Sequence, residues 1–200
     1  MDVETAFKSA FKWVVAGERH GERLRIEGMR VVLEALGHPE KKLRFVHLAG
    51  TNGKGSIAAY VASILAAAGF KVGLFISPYL ERFGERIRVL DGLTSLERLQ
   101  TKPDEGELSP EALVHWVDVL QSTLRDLPLS KDHDPTHFEI LTLMSFLHFA
   151  DQACDIVVLE TGMGGTYDVT NVIPDAEVHI ISTISYDHMA VLGHTIRSIA

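Results

Sequence analysis

The stretch Leu48-Ala49-Gly50-Thr51-Asn52-Gly53-Lys54-Gly55-Ser56 constrains this chain more than any other. Apolar, β-prone residues 43–48 precede it, and the helix-prone run 57–68 follows and ends at Gly69. A strand, a glycine-rich turn with one lysine, then a helix is the layout of a phosphate-binding loop. Glycines let backbone N–H groups converge on phosphate oxygens, and the helix N-terminus adds positive potential. A lysine supplies a full charge to the β- and γ-phosphates, and a nearby hydroxyl can reach Mg²⁺. The spacing departs from the common pattern, which has glycine where Leu48 stands and a hydroxyl residue directly after the lysine, where Gly55 intervenes before Ser56. The local chemistry supports ATP binding by Gly50, Thr51, Asn52, Gly53, Lys54, Gly55 and Ser56, and names no reaction.

With 46% apolar residues, a chain of 200 residues can bury one substantial core. The net charge of −8 argues against a nucleic-acid surface. A bound phosphate then needs local cations, and Lys54, Arg82, Arg86 and Arg88 are the candidates. The single cysteine, Cys154, excludes an internal disulfide framework and fits a reducing, cytoplasmic setting. The N-terminus has no signal-peptide pattern, and the longest apolar run falls short of the ~18 residues a membrane span needs, so no membrane partner is expected.

Along the chain, residues 4–16 read as an amphipathic helix broken by Gly17 and Gly21, and residues 26–36 as a second helix closed by Gly37-His38-Pro39. A second apolar strand, 71–76, follows the loop's helix and completes a βαβ unit whose strands should be parallel. Residues 79–92 are charged with a short alternating end. Residues 94–107 and 128–135 read as loops. Ser109-Pro110-Glu111 opens a helix with Leu113, Trp116, Val117 and Leu120 on one face, and 136–152 is a mostly apolar helix. A third strand, 155–160, is apolar enough to be central and closes on Glu160 before Thr161-Gly162-Met163-Gly164-Gly165. A fourth, 178–184, precedes Asp187-His188, and a last helix begins at Thr195. The fold class is therefore α/β: a phosphate-loop protein with a mostly parallel sheet and helices on both faces.

Parallel strands put their C-terminal ends on one edge, where ligands of open α/β sheets bind. Here that edge collects the phosphate loop, Ser77, Glu160 and Asp187-His188. An apolar strand closing on a carboxylate is a Mg²⁺-binding pattern of nucleotide hydrolases, and oxygen donors suit that ion.

Several motifs in this order resemble a known family. They are Gly50-Thr51-Asn52-Gly53-Lys54-Gly55-Ser56, Ser77-Pro78-Tyr79-Leu80 with Glu85-Arg86-Ile87, Thr136-His137-Phe138-Glu139, Glu160-Thr161-Gly162-Met163-Gly164-Gly165 with Asp168-Val169-Thr170-Asn171, and Asp187-His188 with Leu192-Gly193; Gly21-Glu22-Arg23 with Gly28-Met29 fits loosely. Together they resemble folylpolyglutamate synthase and dihydrofolate synthase of the Mur ligase superfamily, in its N-terminal ATP-binding domain. Tyr79 and Tyr186 depart from the family pattern, which has His and Leu there. The resemblance implies an ATP-dependent ligase that joins L-glutamate to dihydropteroate or folates through an acyl phosphate. It implies that Thr51 to Ser56 hold ATP, that Lys54, Glu160 and His188 serve the chemistry, and that Ser77, Glu160 and His188 bind Mg²⁺. It further implies that Thr136, His137, Phe138, Glu139, Tyr167, Asp168 and Val169 line the pterin site, and that residues 78–88 cover the folate cleft. On this reading residues 1–200 are the ATP-binding domain, a C-terminal half is the missing partner, and the chain alone binds ATP without forming amide bonds. Two other readings stand beside it: a small phosphate-loop kinase or ATPase, and a nucleotide-binding fragment without ligase activity.

Overall fold

Alternating apolar residues in five short strands build one sheet with two buried faces. The computed structural model describes residues 3–16, 25–127 and 135–199. The expected breaks at Gly17 and Gly21, the Gly21-Glu22-Arg23 motif, most of the 128–135 loop and Ala200 lie outside the described residues. Strands β1 (Phe45–Ala49), β2 (Lys71–Phe75), β3 (Ile87–Asp91), β4 (Ile156–Glu160) and β5 (Val178–Ile181) lie in the order β3-β2-β4-β1-β5. All are parallel except β3, which pairs antiparallel with β2 at one edge.

Strand alternation divides the core in two. On one face Phe45, Phe75, Val157 and Leu159 pack with helices α1 (Val3–Ala16), α2 (Arg25–Ala35), α5 (Pro110–Asp126) and α6 (His137–Asp151). On the other, Val46, Leu48, Val72, Leu74, Ile156 and Val158 meet α3 (Lys54–Ala67) through Ala58, Ala62 and Ala66, and α4 (Gly92–Leu99) through Leu96 and Leu99. Alanines every four residues let α3 lie close to the sheet and bring its N-terminus to the strand ends. Central β4 is buried on both sides, as its unbroken apolar sequence requires, whereas edge strand β5 leaves Val178 and Ile181 exposed. Two short helices, α7 (Met189–Leu192) and α8 (Ile196–Ile199), end the described chain. Among the described residues no helix is long and apolar enough to cross a membrane.

Local chemistry sets the helix starts. Ser109 Oγ accepts the Ala112 N–H with Pro110 in the first turn of α5. Thr136 and Glu139 cap α6 reciprocally. Phe146 and Phe149 of α6 are wholly buried, each contributing on the order of 2–3 kcal/mol relative to exposure.

Two expectations change and one holds. Residues 94–107 are not all loop, because α4 begins at Gly92, whose φ of 64° turns the chain directly out of β3. Exposed Thr94, Glu97 and Arg98 hide the packing of Leu96 and Leu99, while buried Ser95 accepts the Asp91 N–H through its Oγ. The last strand stops at Ile181 rather than 184, because Thr183 turns to bridge Asn52 of the phosphate loop. The βαβ strands β1 and β2 are parallel, as that unit requires, with β4 lying between them.

Candidate functional site

The phosphate loop runs from the end of β1 into α3 and is stitched to the segment after β5. Thr51 N–H donates to Thr183 O (2.8 Å), Thr51 Oγ1 donates to Ser185 O (3.2 Å), and Ser185 N–H donates back to Thr51 Oγ1 (3.1 Å). Gly50, at φ 133°, passes so near β5 that a Cβ there would stand 2.0 Å from Ser182 Oγ. Gly53, at φ 82°, makes the turn into α3. Lys54 Nζ donates to Gly50 O at 2.8 Å, so the ammonium rests in the loop's own mouth. Gly55 and Ser56 form the first turn of α3, whose free N–H groups give the anion-binding end.

Beside this loop stands Glu160, at the end of β4 and only 3% exposed. Its position in β4 turns it to the α3 face, where a Cβ on Gly55 would lie 3.5 Å from Oε2. Oε2 accepts the Ser77 N–H at 2.9 Å, just past β2. Ser77 Oγ accepts in turn from Arg86 Nη1 at 2.9 Å, and the Arg86 guanidinium lies 5.0 Å over the Tyr79 ring. Burial raises the Glu160 carboxyl above the ordinary carboxylate range, opposed by the Ser77 N–H and the Lys54 and Arg86 charges. A buried carboxylate and a serine hydroxyl are hard oxygen donors, and they fit Mg²⁺.

His188 stands on the same edge of the sheet. With Lys54, Thr51 and Gly50 it lines one cleft, whose glycine-rich wall is Gly162, Met163, Gly164 and Gly165, with Asp187 and Leu192 also on the lining. Its ring is half exposed, with Nε2 3.8 Å from Asp187 Oδ2. Among the described residues no hydrogen bond joins His188 to Ser77 or Glu160, and no three His, Cys, Asp or Glu side chains cluster to hold a metal. The structure thus brings Ser77 to Glu160 and His188 to Lys54.

Of the three arginines expected near a phosphate, Arg86 alone touches these residues. Arg82 donates to Glu107 through Nε (3.0 Å) and Nη2 (2.9 Å), and Arg88 Nη2 donates to the same carboxylate at 2.8 Å. Arg88 also holds the Pro103 and Glu105 carbonyls, so both side chains brace the 101–108 segment.

The two segments expected at a pterin site have mixed surroundings. Thr136 N–H donates to Glu139 Oε2 (2.7 Å), and His137 Nδ1–H donates to Val14 O (3.1 Å). The Phe138 ring lies against Phe75 and against Gly162, where a Cβ would meet it at 2.8 Å. Tyr167 is exposed, whereas Asp168 and Val169 are buried. Asp168 Oδ2 accepts the N–H groups of Gly162 (3.0 Å) and Met163 (2.9 Å), and Oδ1 accepts the Thr170 hydroxyl at 2.6 Å. Thr170 Oγ1 also lies 2.8 Å from His47 Nε2, in the middle of β1. Sequence reasoning took His47 only as part of a strand; the available signal was a titratable residue at an inward position of an apolar strand.

No protein-family model matches the chain. In sequence it is 39% identical over 197 residues to a Bacillus subtilis dihydrofolate synthase/folylpolyglutamate synthase, a match covering 98% of this chain and 42% of that protein. A Lacticaseibacillus casei folylpolyglutamate synthase is 37% identical over 84% of this chain and 36% of its own length. In structure, an FPGS–AMPPCP–folate complex superposes with a TM-score of 0.83 at 32% identity, covering 96% of this chain and 44% of that one. The chain therefore spans about two-fifths of the length of the curated relatives it matches.

Proposed function

Because this chain is, in sequence and fold, a relative of folylpolyglutamate and dihydrofolate synthases that matches their N-terminal part, we propose that it is the nucleotide-binding portion of an ATP-dependent ligase of that kind. The reaction would join L-glutamate to dihydropteroate, to folates, or to both. The substrate carboxylate attacks the γ-phosphate of ATP, releasing ADP and leaving an acyl phosphate. The amine of glutamate then attacks the acyl carbon, phosphate leaves, and the amide remains.

The convergence of Lys54, Glu160 and Ser77 on one strand-end edge carries this reading. Gly50, Thr51, Asn52, Gly53, Gly55 and Ser56 hold the polyphosphate by backbone and hydroxyl groups. Lys54 exchanges its loop carbonyls for phosphate oxygens and stabilises charge on the transferring phosphoryl group. Ser77 and Glu160, with His188 from the same edge of the sheet, are assigned as ligands of a Mg²⁺ ion. When bound, that ion supplies charge neutralisation at the phosphates. Thr136, His137, Phe138 and Glu139, with Tyr167, Asp168 and Val169, border the pterin site. Phe138 and Tyr167 offer ring surface to a flat heterocycle, while the others hold the backbone of the two segments. Residues 1–200 act as the ATP-binding domain, and the glutamate site is assigned to the part of the relatives outside the match. A small phosphate-loop kinase would need arginines to clamp the phosphates, and Arg82 and Arg88 are committed to Glu107.

Calorimetry with AMPPCP and Mg²⁺ tests the assignment. Lys54→Ala removes a charge-assisted contact and should weaken binding by about 2 kcal/mol, roughly thirtyfold. Equal affinity in wild type and variant would refute the loop assignment.

A further inference from the structure

The geometry points to His47 as a positioning residue for the glycine-rich wall of the cleft, acting through Thr170 and Asp168 on the amides of Gly162 and Met163. The nucleotide reading above enters only as the identity of the cleft's ligand. This wall is mostly glycine, with Gly162, Gly164 and Gly165 around Met163, and such a run has little of its own to fix its backbone. What fixes it is the segment that follows. Asp168 is 7% exposed, and its carboxylate is fully engaged: Oδ2 accepts Gly162 N–H and Met163 N–H, and Oδ1 accepts Thr170 N–H (3.0 Å) and Thr170 Oγ1–H. Asn171 donates its side-chain amide to the Gly165 carbonyl and secures the other end of the wall.

Thr170 is completely buried, and its one hydroxyl proton goes to Asp168. Its 2.8 Å contact with His47 Nε2 therefore requires the ring to donate, which places a proton on His47 Nε2. The bonds then run in one direction, from imidazole N–H to threonine hydroxyl to carboxylate, and the carboxylate gathers two backbone amides. Each donor polarises the next, and no buried partner in the series is left over. An apolar residue would fill this inward position of β1 without any polar group to satisfy. The imidazole instead ties the strand that feeds the phosphate loop to the glycine-rich wall of the cleft that Lys54 also lines.

Hydrogen exchange read by mass spectrometry on the 200-residue protein, paired with AMPPCP–Mg²⁺ titration, tests this. His47→Leu should speed exchange in peptides covering 161–168 roughly tenfold, the loss of about one buried hydrogen bond, and leave α3 and α6 unchanged. Nucleotide affinity should fall about fivefold in the same variant. His47→Gln places an amide N–H near the Nε2 position and should bring both readouts back to about twofold of wild type. Should His47→Leu fail to fold, Thr170→Val and Thr170→Ser read the same link, with loss expected in the first and retention in the second. Unchanged exchange at 161–168, exchange raised equally across α3 and α6, or equal damage from the conservative and disruptive members of each pair would overturn the proposal. The exchange readout needs no nucleotide, so it stands even where Lys54→Ala shows the nucleotide assignment to be wrong.

Discussion

Acid should unfold this protein in part through His47. Burial pushes the imidazole down to about 4 from an ordinary 6.5, outweighing the Asp168 carboxylate, which raises it, and aided by His179 in the paired position of β5. The unfolded chain therefore takes up this proton first. Stability from a neutral His47 is complete above about pH 6.5 and is lost as pH falls through the window down to about 4. The full gap corresponds to about 3 kcal/mol, and roughly 2.5 kcal/mol of it is expressed by pH 4.5. Other groups titrate nearby. His148, lowered by burial, adds to the acid loss. At Glu85, burial alone would raise the pKa, but the Leu80, Arg82 and Glu81 N–H groups hold it below the ordinary value, so it too costs stability in acid. Glu160, raised by burial, works the other way and gives back stability as pH falls. Urea unfolding of wild type and His47→Gln at pH 7.5, 6.5, 5.5 and 4.5 separates His47 from these, because they are common to both proteins. The difference in unfolding free energy should swing by about 2.5 kcal/mol toward the variant between the ends of that range. A difference independent of pH, or an NMR titration placing the His47 ring near 6.5, would refute the argument.

Two further changes probe the scaffold. At Gly73→Ala the new methyl would stand 2.8 Å from the buried Phe149 ring, so overpacking should cost about 1–3 kcal/mol and lower the melting temperature by several degrees; an unchanged or raised melting temperature contradicts it. Glu107→Gln removes the charge shared by Arg82 and the largely buried Arg88, and should cost about 2 kcal/mol in urea unfolding, with wild-type stability as the contrary result.

What could be read from the sequence was what is contiguous in it. The phosphate loop announces itself within nine residues, and β4 does so through an apolar run that closes on Glu160. The caps of α5 and α6 were equally local, since Ser109 and Thr136 act on residues three places on. The contacts that give the site its shape are not local. His47 and Thr170 meet from 123 residues apart; the parallel-strand pattern already gathered Ser77 and Glu160, 83 residues apart, on one edge, but not the hydrogen bond that joins them. Register decides them, and register follows from packing that no short window contains. Arg82, Arg86 and Arg88 illustrate the difference. They look equivalent in sequence, yet the turn at 83–86 and the pleat of β3 send Arg86 to Ser77 and the other two to Glu107.

That division also resolves a conflict between the overall charge of −8 and a site for a polyanion. Acidic residues repel phosphate only where they are unpaired and near. Glu107 and Glu105 are consumed by Arg82, Arg88, Arg98 and Lys102 on the β3 side. Glu177 is paired with Arg44, and Glu85 spends its oxygens on three backbone N–H groups. At the cleft, Glu160 lies between two cations, Lys54 and Arg86, and beneath the N-terminus of α3. Lys54, Arg86 and the N-terminus of α3 thus set local positive charge against Glu160, while Asp187 remains a half-exposed carboxylate on the cleft lining beside His188. The same acidity lowers affinity for nucleic acids, whose binding depends on an extended basic surface rather than one recessed pair of cations. On the proposed nucleotide reading, a preference for a small polyphosphate over a polymeric ligand would follow from where the carboxylates are neutralised, and not from how many there are.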